Sequence, residues 1–298
     1  MRQITSNFNF ARFFAIILSA SLFLGFYLNE DSSSGGVSTD FYTTWGYIEF
    51  LKENLFTNSS WLDGENWTRV LPLHYIFISQ LDIITPNIEI VDDQRDLARL
   101  LFCFISLSIP ILFYINLKIK FPNISKDLLL CFASIILIIP YFRSSAIWAN
   151  SHITALIFFL LSILFYLKWE KKKNYSKLEF NLILQTFFLA LAVYTRQNYA
   201  IFFIYYFFIY FQKLKFITFI KISSIIFILS LPGFWLIYEY PFYFTESTFN
   251  INFYNTLLIN SSMMFVYLLP IFLLLIIQNP QIFIAEKYFF IISFAASF

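Results

Sequence analysis

Residues 180–211 read FNLILQTFFLALAVYTRQNYAIFFIYYFFIYF, a run in which Arg196 is the only charged residue. A single helix over these 32 residues would reach about 48 Å, against about 30 Å of bilayer hydrocarbon. The polar quartet Thr195-Arg196-Gln197-Asn198 falls in the middle. Two antiparallel helices turned at that quartet satisfy both the length and the expense of placing a guanidinium in lipid. The rest of the chain fits the same solvent. It is 59% hydrophobic, 22% aromatic and only 13% charged, with a mean hydropathy of +0.70. A soluble domain is nearer 45–50% apolar and about 25% charged. Soluble, disordered, collagen-like, coiled-coil and disulfide-scaffold readings are excluded together.

Outward from the hinge, further apolar runs cover 10–28, 97–117, 127–142, 146–167, 217–238, 254–277 and 282–298. With two helices in 180–211 this predicts about nine spans in an all-α, polytopic transmembrane bundle, one domain over 1–298. The first run has no small-x-small cleavage site before Asn29-Glu30-Asp31 and reads as a retained anchor rather than a signal peptide. The last run stops at Phe298 without a polar flank, the expectation for a truncated C-terminus. Residues 70–84, VLPLHYIFISQLDII, are apolar but short and contain Pro72, His74 and Asp82. If they do not cross, 1–12, 118–126, 168–179 and 212–221 share one side and hold 13 of the 20 basic residues. The opposite side then receives 29–96 and 239–253, with 14 of the 18 acidic residues. The positive-inside rule puts the N-terminus in the cytoplasm. Letting 70–84 cross would move Lys118, Lys120 and Lys171–Lys173 outside, against that rule. The weight of Ile, Phe, Asn, Lys and Tyr suggests an AT-rich genome, and with it a bacterial plasma membrane.

The net charge of +2 is too balanced for a nucleic-acid partner. Cys103 and Cys131 both lie in apolar runs, and neither disulfide nor zinc spacing exists. The histidines stand far apart with no carboxylate at i+3 or i+4, so no metal-ligand set is visible. Only 6 Gly occur, and Gly35-Gly36 precede no strand–helix unit, so a nucleotide-sugar donor has no cradle.

The long first outer loop, 29–96, holds the candidate chemistry. After the flexible Ser32–Gly36 stretch, Ser38-Thr39-Asp40 is a helix N-cap signal. Phe41, Trp45, Ile48, Leu51 and Leu55 then recur at three- and four-residue steps, with Glu49, Lys52 and Glu53 on the other face. This predicts an amphipathic helix lying on the outer membrane face, with Asp40 at its start. Residues 143–154 form a second polar cluster at an outer turn, containing Arg143, Trp148, Asn150 and His152. An N-cap role for Asp40, a structural pair for Arg196, an interfacial Trp148 and a satisfied His152 or His74 are the competing structural readings.

Three pieces carry a family resemblance: Asp40-Phe41-Tyr42 with Trp45, Leu71-Pro72-Leu73-His74-Tyr75, and Tyr194-Thr195-Arg196-Gln197-Asn198. An anchor, an early acidic residue in a first outer loop, a Pro-Leu-aromatic segment and an Ala98-Arg99 span start follow one another as in the GT-C membrane glycosyltransferases, which the chain resembles from about Arg12 to Tyr210. The Arg-Gln hinge is similar to that of the dolichyl-phosphate-glucose glucosyltransferases, which read Arg-Gln-Thr-Asn where this chain reads Arg196-Gln197-Asn198-Tyr199. The protein-mannosyltransferase-like group is resembled equally.

The resemblance implies an inverting hexosyltransferase. It would move a sugar from a polyprenyl-phosphate donor to a lipid-linked glycan or other acceptor on the outer face. A hydroxyl that attacks an anomeric carbon must lose its proton, which suits the Asp40 carboxylate. A departing phosphate needs a cationic fork, which suits Arg196, with Arg143 as a second donor-phosphate ligand. Gln197, Tyr42, Trp45, His74, Trp148, Asn150 and His152 are the candidate substrate contacts. Some relatives use a divalent cation, and the resemblance leaves room for one. A glycolipid flippase, with matched broken helices, and a glycan polymerase or ligase, with a late large loop, are the rival functions.

Overall fold

The computed structural model describes residues 7–31, 37–55, 71–81, 94–172 and 179–239. The chain groups into two units, Met1–Tyr243 and Phe244–Phe298, and every described residue lies in the first. The expected runs 254–277 and 282–298, together with Asp82, Lys173 and the 56–70 segment, lie outside the described residues. The described part is 88% helix with no strand, so the all-α class holds.

The helices in order are α1 (Asn7–Tyr27), α2 (Val37–Asn54), α3 (Leu73–Ser79), α4 (Gln94–Ser106), α5 (Ser108–Lys120), α6 (Lys126–Ile135), α7 (Pro140–Ile147), α8 (Ser151–Lys172), α9 (Phe180–Thr195), α10 (Ile201–Lys213) and α11 (Phe216–Glu239). Four stretches are long and apolar enough to cross a membrane: Phe10–Tyr27, Gln94–Lys120, Ser151–Lys172 and Phe216–Leu236. A fifth is broken. Lys126–Ile138 and Pro140–Ile147 meet at a bend of 67°, where the sequence reading had one run over 127–142. Pro140 is the cause. Proline lacks an amide and sits at the first position of a new helix, which forces Ile139 before it into extended backbone (φ −69°, ψ 120°). Residues 146 and 147 close this second helix, so the one after it begins at Ser151 rather than near 146.

The 180–211 run divides as its polar middle requires. α9 ends at Thr195, Arg196 is extended (φ −144°, ψ 110°), and a short 3₁₀ turn, Gln197–Ala200, leads into α10. A buried polar chain ties α8, α9 and α10: Gln185 Nε2 donates to Ser162 Oγ at 3.2 Å, and the Tyr210 hydroxyl donates to Gln185 Oε1. Tyr194, two residues before Arg196, enters the backbone ladder of α11. Gly233 N donates to its hydroxyl at 2.9 Å, and that hydroxyl donates to Leu229 O at 2.6 Å. The side chain thus occupies one i→i−4 rung beside Pro232, where the ladder is already interrupted.

α3 spans only seven residues, too few to cross a membrane by itself. α2 buries Phe41, Trp45, Ile48 and Leu51 and exposes Glu49, Lys52 and Glu53, the stripe its spacing requires. That stripe packs against protein, in one core with Tyr75, Ile78, Phe102 and Trp148. α2 begins at Val37, so Asp40 sits inside the first turn, and the N-cap role is corrected. An α-helix turn consumes the flanking Ser38-Thr39 as well, because Ser38 is buried inside the helix rather than ahead of it.

Opposite ends of the bundle collect different residues. Glu170 on α8 meets Lys213 of α10 at 2.6 Å and Lys120 of α5 at 4.0 Å. The other end of α8 meets Arg196.

Candidate functional site

At that other end a cavity of about 270 Å³ opens among α2, α3, the 148–151 turn and the hinge. Asp40, Thr43, Thr44, His74, Trp148, Asn150, Ser151 and Arg196 line it, with Phe41, Ile48, Tyr75, Ile78 and Ala149 as its apolar and backbone wall. Asp40 and Arg196 therefore share one cleft although 155 residues separate them in sequence.

The 148–151 turn is built from distant parts. Ala149 is held at φ 45°, a left-handed conformation that a Cβ-bearing residue adopts only under constraint. Trp148 Nε1 donates to Glu30 O at 2.8 Å, and Arg99 Nε donates to Ile147 O at 3.2 Å. The Arg99 guanidinium lies 3.8 Å above the Trp148 ring and also pairs with Asp96 at 2.6 Å and Asn29 Oδ1 at 2.9 Å. His74 completes the frame. Its Nε2–H donates to Ala149 O at 2.8 Å, which fixes the tautomer and leaves Nδ1 to accept from the Thr154 hydroxyl at 2.9 Å. Burial, reinforced by the positive charge of Arg196 and by His152, lowers the His74 pKa to about 3 against the opposing bond to Ala149, so the ring is neutral.

That frame delivers two oxygens to the hinge. Asn150 Oδ1 caps the start of α8, accepting from His152 N at 3.1 Å, and also accepts from Arg196 Nη2 at 3.1 Å. Ser151 Oγ accepts from Arg196 Nε at 2.8 Å. Arg196 is thereby oriented by neutral partners. Among the described residues no carboxylate reaches it, and none of the described hydrogen bonds engages its Nη1. The Asp40 carboxylate likewise has no ion pair or hydrogen bond among the described residues, and its residue is exposed.

The other sequence-derived candidates divide. Trp148 and Asn150 line the cavity, but the Trp148 indole nitrogen is engaged by Glu30 and its ring is 2% exposed. His74 lines the cavity with both ring nitrogens taken. Arg143 lies elsewhere. Its Nε and Nη2 clamp Glu30 at 2.8 and 2.5 Å, and Nη1 donates to Ser21 Oγ at 2.9 Å, so all its nitrogens brace α1 against α7. Trp45 Nε1 donates to Glu49 at 2.6 Å, away from the cavity. Tyr42 stands edge-on to Trp148 at 5.6 Å, and His152 bonds the Tyr141 hydroxyl; neither lines the cavity, nor does Gln197. Thr43, Thr44 and Ser151 were not singled out from sequence. The two threonines lie three and four residues after Asp40, the spacing that shares a helix face.

No protein-family model matches the chain, and neither any curated protein nor any solved structure matches it.

Proposed function

We propose that the chain is an integral-membrane glycosyltransferase of the GT-C type, with about nine spans, a cytoplasmic N-terminus and a site facing outward. The observation that carries the reading is the shared cavity of Asp40 and Arg196, neither of which is neutralised by the other described residues. A carboxylate and a guanidinium held apart in one cleft suit the two demands of sugar transfer from a lipid phosphate. The acceptor hydroxyl gives its proton to Asp40 as its oxygen bonds to the anomeric carbon. The bond from that carbon to the phosphate oxygen breaks, and the electron pair leaves with the polyprenyl phosphate, against Arg196. At about 270 Å³ the cavity lies just under the roughly 300–1,000 Å³ of small-molecule sites, a size suited to one sugar ring with its phosphate. Sidedness has its own support. Lys120, Lys213 and Glu170 gather at the lysine-rich end of the bundle, and the cavity lies at the end opposite.

The test is transfer by the full chain in liposomes supplied with polyprenyl phosphomannose or phosphoglucose. Asp40→Asn should lower kcat by about 10²–10⁴-fold with donor KM little changed. Arg196→Ala should raise donor KM, and Arg143→Ala should act through stability alone. Wild-type turnover in Asp40→Asn removes the assigned base. Lipid movement without any new glycosidic product would favour a flippase.

A further inference from the structure

The hydrogen bonds around Arg196 close a ring. Arg196 Nε donates to Ser151 Oγ at 2.8 Å, Ser151 Oγ donates to Asn150 Oδ1 at 3.4 Å, and Arg196 Nη2 donates to the same Oδ1 at 3.1 Å. His152 N donates to that oxygen as well, at 3.1 Å. A guanidinium N–H and a peptide N–H can only donate, so the orientation of the Asn150 amide is decided. Its oxygen faces these donors and its nitrogen faces away. Nδ2 carries two N–H groups, has no hydrogen-bond partner among the described residues, and is not sealed from solvent. Arg196 is in the same state: its Nε–Nη2 edge is engaged by protein, while Nη1 is unmet and open. Both residues line the cavity. Neighbouring donors on its wall are already engaged. Thr43 and Thr44 donate to Thr39 O and Asp40 O, Trp148 to Glu30 O, and His74 to Ala149 O.

We propose that Asn150 is a second ligand of the donor phosphate and the residue that keeps the site selective for it. The inference rests on the sugar-transfer reading for the identity of the ligand. A phosphodiester has two non-bridging oxygens that only accept and that share one negative charge. One meets the open edge of Arg196 and the other meets Asn150 Nδ2. Two anchors on two oxygens remove the rotation that a single cation leaves free, so the bond to the anomeric carbon is held in one direction. The choice of asparagine is itself informative. An aspartate there would cap α8 equally well and give Arg196 a counter-ion, which favours the unliganded fold. It would also cancel the positive charge and replace the open N–H groups with an acceptor. The neutral amide orients the guanidinium, leaves its charge intact and adds a donor beside it.

Native mass spectrometry of the full chain in a neutral detergent tests it. The probes are methyl citronellyl phosphate, a monoanionic diester, and its neutral dimethyl triester, which discounts partition of the chain. Wild type should prefer the diester. Asn150→Ser keeps a capping oxygen and neutrality but loses the amide, and should reduce that preference by about tenfold or more, as for a hydrogen bond to a charged group. Asn150→Asp should abolish the preference while its unfolding midpoint in denaturant equals or exceeds that of wild type. No preference in wild type, or a preference unchanged in either variant, overturns the assignment. A lowered midpoint in Asn150→Asp would mean that Oδ1 does not face the two donors, and equally overturns it. The probe has no sugar to give, so the outcome is read apart from turnover. Diester binding with these ratios but no transfer in liposomes removes the transferase reading alone. Transfer by wild type with diester binding indifferent to Asn150 removes this inference alone.

Discussion

Gly25→Ala sets two forces against each other, and the structure decides their sign. Gly25 lies in the last turns of α1, where replacing glycine by alanine ordinarily stabilises a helix by up to about 1 kcal/mol. Here an added Cβ would collide with Glu30 Oε2 and come within 2.8 Å of Arg143 Nη2 and 2.9 Å of Ile147 Cδ1. The first two atoms are the tips of flexible side chains, so they can move, but only by giving up bonds. Arg143 is committed to Glu30, Ser21 Oγ and O, and Leu137 O at once. Breaking a buried pair costs about 3–5 kcal/mol. Glu30 is 36% exposed against 13% for Arg143, so solvent screening brings the loss to about 2–3 kcal/mol. Less the helix gain, Gly25→Ala should destabilise by about 1–2 kcal/mol, read by reversible denaturant unfolding in micelles. In a Glu30→Ala background the main collision is absent, and the same change should be neutral or stabilising. A stabilising Gly25→Ala in the wild-type background, equal to that in Glu30→Ala, would refute the reasoning.

Two further outcomes are expected. Tyr194→Phe removes the hydroxyl that bridges Gly233 N and Leu229 O, and should destabilise by about 1 kcal/mol in the same unfolding measurement, with added hydrogen exchange at the Gly233 amide. His74 carries a folded pKa of about 3, below the ordinary 6.5, chiefly because it is buried. The unfolded chain therefore binds the extra proton first: His74 leaves stability unaffected above about pH 6.5, and stability falls as pH drops toward 3, with a slope approaching 1.4 kcal/mol per pH unit; His74→Gln should flatten that slope.

What the sequence made legible were features whose signal is local. A lone guanidinium in a mostly apolar run of 32 residues had to mark a break, and α9 does end one residue before it. The 41–45–48–51 stripe of α2 had one buried face, and those four residues are buried. The bend at Pro140 is also locally coded, but the apolar run over 127–142 passes through it unbroken and so masks it. What stayed hidden was pairing at long range. Arg143 carries the same fork as Arg196, and nothing in its neighbourhood announces that Glu30, 113 residues away, already occupies it. The same holds for His74, whose partners Thr154 and Ala149 arrive from another helix and its preceding turn. A side chain's availability for chemistry depends on such partners, and spacing alone cannot distinguish a braced cation from an open one.

That distinction gives the cavity its meaning. Arg99 and Arg143 are each matched to a carboxylate, Asp96 and Glu30. Arg196 is matched instead to an amide oxygen and a hydroxyl, which orient a guanidinium without cancelling its charge. A merely structural cation in apolar surroundings is held most cheaply by a counter-ion, as Arg99 and Arg143 are. The oxygens that hold Arg196 sit on a turn with a left-handed alanine, a conformation worth about 1–2 kcal/mol of strain. Separate bonds from Glu30, His74 and Arg99 maintain it. These independent contacts hold a strained turn that aims Arg196, met by no described carboxylate, into the cleft that also holds Asp40, and this contrast with Arg99 and Arg143 is what the proposed phosphate role of Arg196 rests on.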